Sequence, residues 1–136
     1  MFDLDSILDT PVDDIPSMGE APEGTTICTV LSWEKKLLTT NDFLIIKFKL
    51  VQSIEQVGEV VVANNSEFDL LWLLTQTENM TTHPVVYINT LLRDVNKEFQ
   101  QEKISGILNQ LVGKDVALLT YKDKGGYMKV KKMALA

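Results

Sequence analysis

Apolar and polar residues alternate most clearly between Phe43 and Val51, where the sequence reads FLIIKFKLV. One face of such an extended segment carries only large apolar residues: Leu44, Ile46, Phe48 and Leu50. The other face is half apolar and half basic: Phe43, Ile45, Lys47 and Lys49. This period of two predicts a β-strand whose first face lies in the core.

Two neighbouring segments indicate further strands. Residues 25–33 are rich in β-branched side chains, which favour a first strand. We expect a third strand over about residues 58–63, after a short turn at residues 53–56. The buried face of the first strand stays open between two alternating sets: Ile27, Leu31 and Trp33, or Cys28 and Val30.

The period changes after residue 65. Ser66 and Asp69 match a variant of the capping box, and the apolar residues that follow predict a helix ending near Glu78, with Trp72 in the core. Residues 84–92 fit either a short strand or the beginning of a helix. Residues 93–112 are mostly helical by pattern, with a break suggested by the slip between Phe99 and Ile104 and by Gly106, and a C-terminal cap at Gly113.

The end of the chain has the pattern of a β-hairpin. Strands are expected over residues 116–121 and 127–133, joined by a turn whose glycines supply positive backbone angles. If Val130 faces the core, then Tyr127, Lys129 and Lys131 share the opposite face.

Charge is distributed unevenly along the 136 residues. Residues 1–24 contain seven carboxylates, three prolines and no Lys or Arg, which predicts a disordered, flexible acidic arm. Residues 25–136 then form one domain, since the chain is long enough for one core. The net charge of -6 hides this pattern, because residues 25–136 hold 13 basic and 12 acidic residues.

The arm also carries apolar residues at helix-like spacing among its acids: Phe2, Leu4, Ile7 and Leu8. This pattern is typical of segments that fold on meeting a partner. The alternative is a solubilising tail in which the apolar residues are incidental.

Few residues are suited to catalysis or to metal binding. The single Cys28 excludes an internal disulfide and a cysteine-clustered zinc site, and its strand pattern favours a core position. Neither of the glycine-rich phosphate-binding motifs, G-x-x-x-x-G-K-S/T and G-x-G-x-x-G, occurs in the sequence. The Glu34-Lys35-Lys36 string is only a weak match to nuclease motifs. We therefore expect no enzyme, no cofactor and no metal. A signal peptide and long apolar runs are also absent, so we expect a cytoplasmic protein.

Binding to an unpaired polynucleotide fits the residues better. Lysines at alternate strand positions can follow a phosphate backbone, and aromatic rings beside them can stack on bases. The candidate nucleic-acid-binding residues are Trp33, Lys35, Lys36, Phe43, Lys47, Lys49, Tyr121, Lys122, Lys124, Tyr127, Lys129 and Lys131. The alternative is an ordinary solvated sheet face whose lysines discourage aggregation.

Three strands, a helical stretch and a basic hairpin are the order of elements in an OB-fold. Short motifs agree with it: Pro22-Glu23-Gly24, Leu111-Val112-Gly113-Lys114-Asp115-Val116, and Gly125-Gly126-Tyr127 with Val130. In these features the chain resembles the small OB-fold single-stranded DNA-binding proteins of bacteriophages. The resemblance implies a five-stranded antiparallel barrel that binds and protects single-stranded DNA during replication or recombination, in the host cytoplasm.

Residues 13–16, Asp-Asp-Ile-Pro, look like the acidic tail by which such proteins recruit replication and repair enzymes. That tail is usually C-terminal, whereas here the acids come first. The expected partner-binding residues are Phe2, Leu4, Ile7, Leu8, Asp13, Asp14 and Ile15. A rival hypothesis is a protein-interaction module, an inhibitor or a virion component, that docks through its arm.

Overall fold

The computed structural model describes residues 21–58, 61–78, 80–125 and 127–136. Within them, strands and helices follow in this order: β1 Gly24–Leu38, β2 Asn41–Gln56, β3 Glu67–Leu73, α1 Val85–Phe99, α2 Ile104–Leu111, β4 Asp115–Lys122 and β5 Met128–Leu135. The expected sequence of three strands, a helical region and a closing pair of strands is confirmed. Neither α1 nor α2 is long and apolar enough to cross a membrane.

The five strands form one antiparallel sheet in the order β3-β2-β1-β4-β5. β1 is the central strand and pairs with β2 along its whole length. β4 pairs only with the first part of β1, from Gly24 opposite Thr120 to Thr29 opposite Asp115. β3 and β5 are therefore the two edge strands of an open sheet.

One face of the sheet is buried beneath the two helices, and it is the face expected for β2. Its four predicted core residues are at most 3% exposed: Leu44, Ile46, Phe48 and Leu50. The helices contribute Ile88, Leu91, Leu92, Val95, Ile107, Leu108 and Leu111 to the same cluster. A single core thus joins the sheet to both helices.

The buried face of β1 is the one with Cys28 and Val30, at 0% and 1% exposure. A β-bulge then inserts Leu31, because Val30 pairs with Phe48 while Ser32 pairs with Lys47. The extra residue shifts the alternation by one position and turns Trp33 back towards the core, against which it packs partly buried. The residues of β1 that face the core therefore come from both alternatives: Cys28 and Val30 from one, and Trp33 from the other.

The expected third strand and the expected helix after it are wrong. The strand prediction covered residues 58–63, but the residues of this range that the structure describes, 58 and 61–63, are not in a strand. β2 continues to Gln56, so the turn expected at residues 53–56 is also wrong. The true third strand, β3, lies where the sequence predicted a helix from Ser66 to Glu78. Its buried residues alternate: Phe68, Leu70 and Trp72. Trp72 is a core residue as expected, but on a strand.

The helical region is confirmed with its break. Residues 85–99 form α1, which decides the ambiguity over residues 84–92 in favour of a helix. The break falls at residues 100–103, where Gln100 adopts a left-handed conformation with φ of 52°. Gly113 follows α2 with φ of 85°, the conformation for which a glycine was expected there.

Tyr87, in the first turn of α1, contacts both edge strands. Its ring meets Trp72 of β3 edge-on, with 6.4 Å between the ring centroids. Its hydroxyl donates to the Val130 carbonyl of β5 and accepts from the Val130 N–H at 3.0 Å. α1 thus lies between the two edges on the core side of the sheet.

Candidate nucleic-acid interface

Most of the candidate nucleic-acid-binding residues lie on two surfaces. The first, called the β1–β2 surface, comprises Lys36, Phe43, Lys47 and Lys49 on the outer face of the sheet, while Trp33 and Lys35, opposite the buried Ile46 and Leu44, lie on the helical face. The second, called the basic hairpin, comprises Tyr121, Lys122, Lys124, Tyr127, Lys129 and Lys131. The basic hairpin lies just beyond the pair of Thr120 with Gly24, at the beginning of β1. Along β1, Gly24 is nine positions from Trp33, at most about 30 Å of strand, and five positions from Thr29, which pairs with Lys49.

The basic hairpin concentrates lysines and exposed rings within a few residues. In the ladder of β4 and β5, Tyr121 is opposite Lys129 and Lys122 is opposite Met128. Tyr121 is 41% exposed and Tyr127 is 73% exposed. The hairpin therefore presents two accessible aromatic rings beside cationic side chains, as the sequence predicted for this part of the chain.

Asp123 holds the turn of the basic hairpin together, a role that the sequence analysis missed. Its carboxylate Oδ1 accepts hydrogen bonds from the backbone N–H groups of Gly125 and Tyr127, both at 2.9 Å. The Asp123 N–H donates to the Tyr127 carbonyl at 2.9 Å. An aspartate that opens a glycine-rich turn is the sequence signal for this local hydrogen bonding.

Asp123 also brings a negative charge to the basic hairpin. Its Oδ2 lies 3.8 Å from Lys129 Nζ, and both side chains are partly exposed. An exposed pair of this kind contributes little to stability, so Lys129 can exchange this carboxylate for another anion at small cost.

The β1–β2 surface is more nearly neutral, because acids of neighbouring strands lie opposite its lysines. Lys47 is paired with Asp69 of β3, and Lys49 is paired with Glu67. Opposite charges at directly facing positions attract each other and reduce the local positive potential. The sequence could not show this, since residues 67–73 were expected to form a helix.

Trp33 is tied to the helical side of the domain. Its ring nitrogen Nε1 donates a hydrogen bond to Asn109 Oδ1 of α2 at 3.0 Å, and the ring packs against the core. Stacking on a base would require the ring to leave part of this packing. Among the aromatic candidates, Tyr127 and Tyr121 are accordingly the more accessible platforms.

The beginning of the described chain lies beside the basic hairpin. The buried Thr120 hydroxyl donates to the Pro22 carbonyl at 2.6 Å and accepts from the Gly24 N–H at 3.2 Å. The Glu23 carbonyl accepts a hydrogen bond from Val57 at 2.8 Å. Residues 21–24, the last part of the expected arm, thus lie against the sheet. The expected partner-binding residues, 2–15, lie outside the described residues.

The single cysteine lies in the core, and the single histidine hydrogen-bonds the backbone at the beginning of α1. Cys28 is fully buried, as expected for a core residue, and burial raises the pKa of its thiol, with a smaller rise from Asp115 against a lowering by Thr26. His83 Nδ1 accepts a hydrogen bond from the Val85 N–H at 3.1 Å, at the beginning of α1. In the part of the chain that the structure describes, no group of three His, Cys, Asp or Glu side chains is arranged to hold a metal ion.

Comparison of the chain with known proteins adds no assignment to this geometry. No protein-family model matches it, and no curated protein matches it either.

Proposed function

We propose that this protein binds single-stranded DNA without strong sequence preference and protects it during replication or recombination, as a member of the phage class that its sequence resembles. The observation that carries the proposal is the basic hairpin, with Tyr121 opposite Lys129 and Tyr127 73% exposed. Cations and exposed rings at one turn offer contacts to both parts of an unpaired strand, its phosphates and its bases.

The two kinds of side chain have separate tasks. Lys122, Lys124, Lys129 and Lys131 neutralise phosphates and release counterions, while each base stacked on a tyrosine contributes about 1–3 kcal/mol. Affinity then falls with salt, with a log-log slope of about -0.7 for each phosphate neutralised. Duplex DNA hides its base faces and binds more weakly. The β1–β2 surface contributes a second, weaker set of contacts.

The sheet supports an OB-type reading of the fold. The order β3-β2-β1-β4-β5, with β1 paired to both β2 and β4, is the order that a five-stranded barrel has when it is opened between β3 and β5. Tyr87 contacts Trp72 and Val130, one residue on each side of that opening. We infer that the sheet curls around α1 into a barrel closed at this place by the helix.

The acidic arm modulates binding or recruits partners in this proposal. Because Pro22 and Gly24 are hydrogen-bonded to Thr120, the carboxylates before them begin close to the basic hairpin. They can compete with phosphates for its lysines and leave when DNA arrives. Residues 2–15 are then available to a replication or recombination protein.

A fluorescent oligothymidine titrated at two salt concentrations tests the proposal. We expect binding that weakens at the higher salt, and weaker binding at both for the variant Lys122→Gln with Lys124→Gln. The matched control, Lys47→Gln with Lys49→Gln, removes the same charge from the β1–β2 surface and is expected to lose less affinity. An absence of oligothymidine binding at low salt, both in the full chain and in a chain with its arm acids neutralised, would overturn the proposal.

A protein-interaction module is the second candidate, and exposed apolar side chains favour it. Val51, Ile54, Val57 and Val61 are 40–74% exposed near the end of β2. Val51 and Ile54 are the extra residues of two β-bulges, which turn them out of the regular alternation. Such side chains suit a protein partner better than a polyanion. In that case the oligothymidine titration fails while the domain remains folded.

A further inference from the structure

A groove of about 420 Å³ lies between α1 and α2. It is lined by Asn89, Leu92, Arg93, Asn96, Lys97 and Ile107. Leu92 and Ile107 are 0% and 6% exposed, so they form an apolar floor that belongs to the core. Two cations and two amides stand around this floor, and no carboxylate is among the lining residues.

These side chains suit an acidic amphipathic peptide. Arginine binds carboxylates with a planar pair of donors, and an apolar floor accepts an apolar side chain. The Asn89 amide can bond a peptide backbone, whereas the Asn96 amide already bonds the backbone N–H and C=O of Gln101. Lys97 is engaged by Asp94, with Nζ 3.3 Å from Oδ1, but both side chains are about half exposed or more. Such a pair is weak and can be replaced by a carboxylate of the ligand.

We propose that this groove binds the beginning of the same chain, residues 2–9. That segment has the complementary composition, with apolar Phe2, Leu4, Ile7 and Leu8 among Asp3, Asp5 and Asp9. It contains no Lys or Arg. Its acids face Arg93 and Lys97 while one or two apolar side chains cover Leu92 and Ile107. The proposal does not depend on DNA binding: the later acids of the arm can still compete at the basic hairpin, and residues 2–9 become available to a partner only when they leave the groove.

The chain is long enough to reach the groove. Position 9 is twelve residue steps before Ala21, and twelve steps extend to about 40 Å. The route runs from Thr120 to its neighbour Val130, then through the Tyr87 side chain to α1. It comprises one strand spacing of about 5 Å, one tyrosine side chain and about 15 Å of helix from Tyr87 to Lys97.

The same geometry favours binding within one molecule over binding between molecules. A short covalent connection gives the tethered segment an effective concentration in the millimolar range, about a thousandfold above a micromolar protein solution. A weak contact is therefore occupied within the molecule before a second copy competes for it. A free peptide or protein of the same acidic amphipathic chemistry would displace the segment.

Paramagnetic broadening in the full chain tests the proposal. A nitroxide is attached at Ser6→Cys, since Cys28 is fully buried and its thiol has a raised pKa, so it reacts slowly. We expect loss of amide peak intensity at Asn89, Arg93, Asn96 and Ile107, and none at Ile54. Broadening centred on the basic hairpin instead, or broadening nowhere in the domain, would overturn the proposal.

Two further experiments identify the contact. Arg93→Glu with Lys97→Glu should abolish the broadening in the groove, whereas Lys35→Glu with Lys36→Glu, the same charge change on exposed β1 residues, should leave it intact. Mixing spin-labelled protein with unlabelled isotope-enriched protein separates the two origins of the effect. We expect no broadening of the unlabelled isotope-enriched protein in the mixture; broadening at the groove there as strong as in the doubly labelled sample would show binding between molecules and would contradict the proposal.

Discussion

Tyr87 links the helical region to both edges of the sheet through its contacts with Trp72 and Val130. Its hydroxyl satisfies the outward N–H and C=O of Val130, a fully buried residue of an edge strand, so that these groups are not buried without a partner. Tyr87→Phe keeps the ring contact with Trp72 and removes these hydrogen bonds. We expect a loss of about 1 kcal/mol in the free energy of unfolding, measured by urea denaturation. Tyr127→Phe, at a ring 73% exposed, is the control and should change nothing.

Tyr87 also makes the free energy of unfolding depend on pH in alkaline solution. Burial raises the pKa of Tyr87 to about 12, with a lowering by the hydrogen bond to Val130 and a further rise from Tyr121. An unfolded tyrosine titrates near pH 10, so the stability from the neutral hydroxyl is complete below about pH 10 and is lost as pH rises towards 12. The difference in unfolding free energy between the native chain and Tyr87→Phe should shrink over this interval. A difference that stays constant up to pH 12 would contradict the assignment.

Asp123 allows charge and turn structure to be separated. Asp123→Asn keeps an amide oxygen that can accept from the N–H groups of Gly125 and Tyr127, and it removes the negative charge near Lys129. We expect less than about 1 kcal/mol change in stability, because the ion pair is exposed. Oligothymidine affinity should rise at low salt and converge with that of the native chain at high salt. Weaker binding by a stable variant would mean that the carboxylate itself assists binding.

At the scale of elements, the alternation in β2 could be read because nothing interrupts it between Phe43 and Leu50. The strands beyond that stretch are longer than the pattern suggests. Three β-bulges in the β1–β2 ladder each insert a residue, so the buried and exposed positions change places along a continuous strand. Alternation alone therefore finds the regular middle of these strands and underestimates their length.

β3 was predicted as a helix because its apolar residues fit both helical and strand spacing. Phe68, Leu71 and Trp72 satisfy helical spacing, and Phe68, Leu70 and Trp72 satisfy strand spacing. Leu71 is 44% exposed, so the apolar residue that suggested a helix is on the outer face. Pairing with β2 decides between the two, and this long-range interaction cannot be read from a local window.

Two glycines with positive φ, Gly24 and Gly113, differ in the space around them, so replacing each by Ala separates the cost of backbone strain from the cost of a steric clash. Gly24 has φ of 123° and lies where an added Cβ would collide with the Glu55 carbonyl of β2. Gly113 has φ of 85° with open space around the added atom. Gly113→Ala should cost about 1–2 kcal/mol of stability, the penalty of the left-handed conformation. Gly24→Ala should cost clearly more in the same denaturation experiment, because the backbone of β1 or β2 must also move. Equal losses would show that the clash relaxes freely.

At the scale of the whole molecule, the sequence identified the basic hairpin but not the separation of the two surfaces. Lys122, Lys124 and Tyr127 come from one turn, so local sequence was enough to group them. Whether Lys47 joins that group depends on strand order and register. β1 and β4 stand between β2 and β5, and Asp69 faces Lys47 from β3. These are properties of the folded sheet that periodicity does not contain.

The structure also sharpens the test of the acidic arm. Pro22 is hydrogen-bonded to Thr120 and Ala21 packs against the core, so a deletion that leaves the domain intact ends at residue 20. This deletion removes six carboxylates and keeps Glu23. If the arm competes with phosphates for the basic hairpin, the shortened chain should bind oligothymidine more tightly at low salt. The gain should fade as salt rises, since the screening length is about 10 Å at 0.1 M.

Replacing the same six carboxylates by Asn and Gln in the full-length chain separates charge from bulk. Competition by charge predicts that the neutral arm tightens binding as much as the deletion does, with the same loss of effect at high salt. Steric obstruction predicts a gain for the deletion alone, and that gain would persist at high salt because excluded volume is not screened. Unchanged affinity of both variants at low salt would exclude competition between the arm and DNA, because electrostatic competition is strongest under that condition.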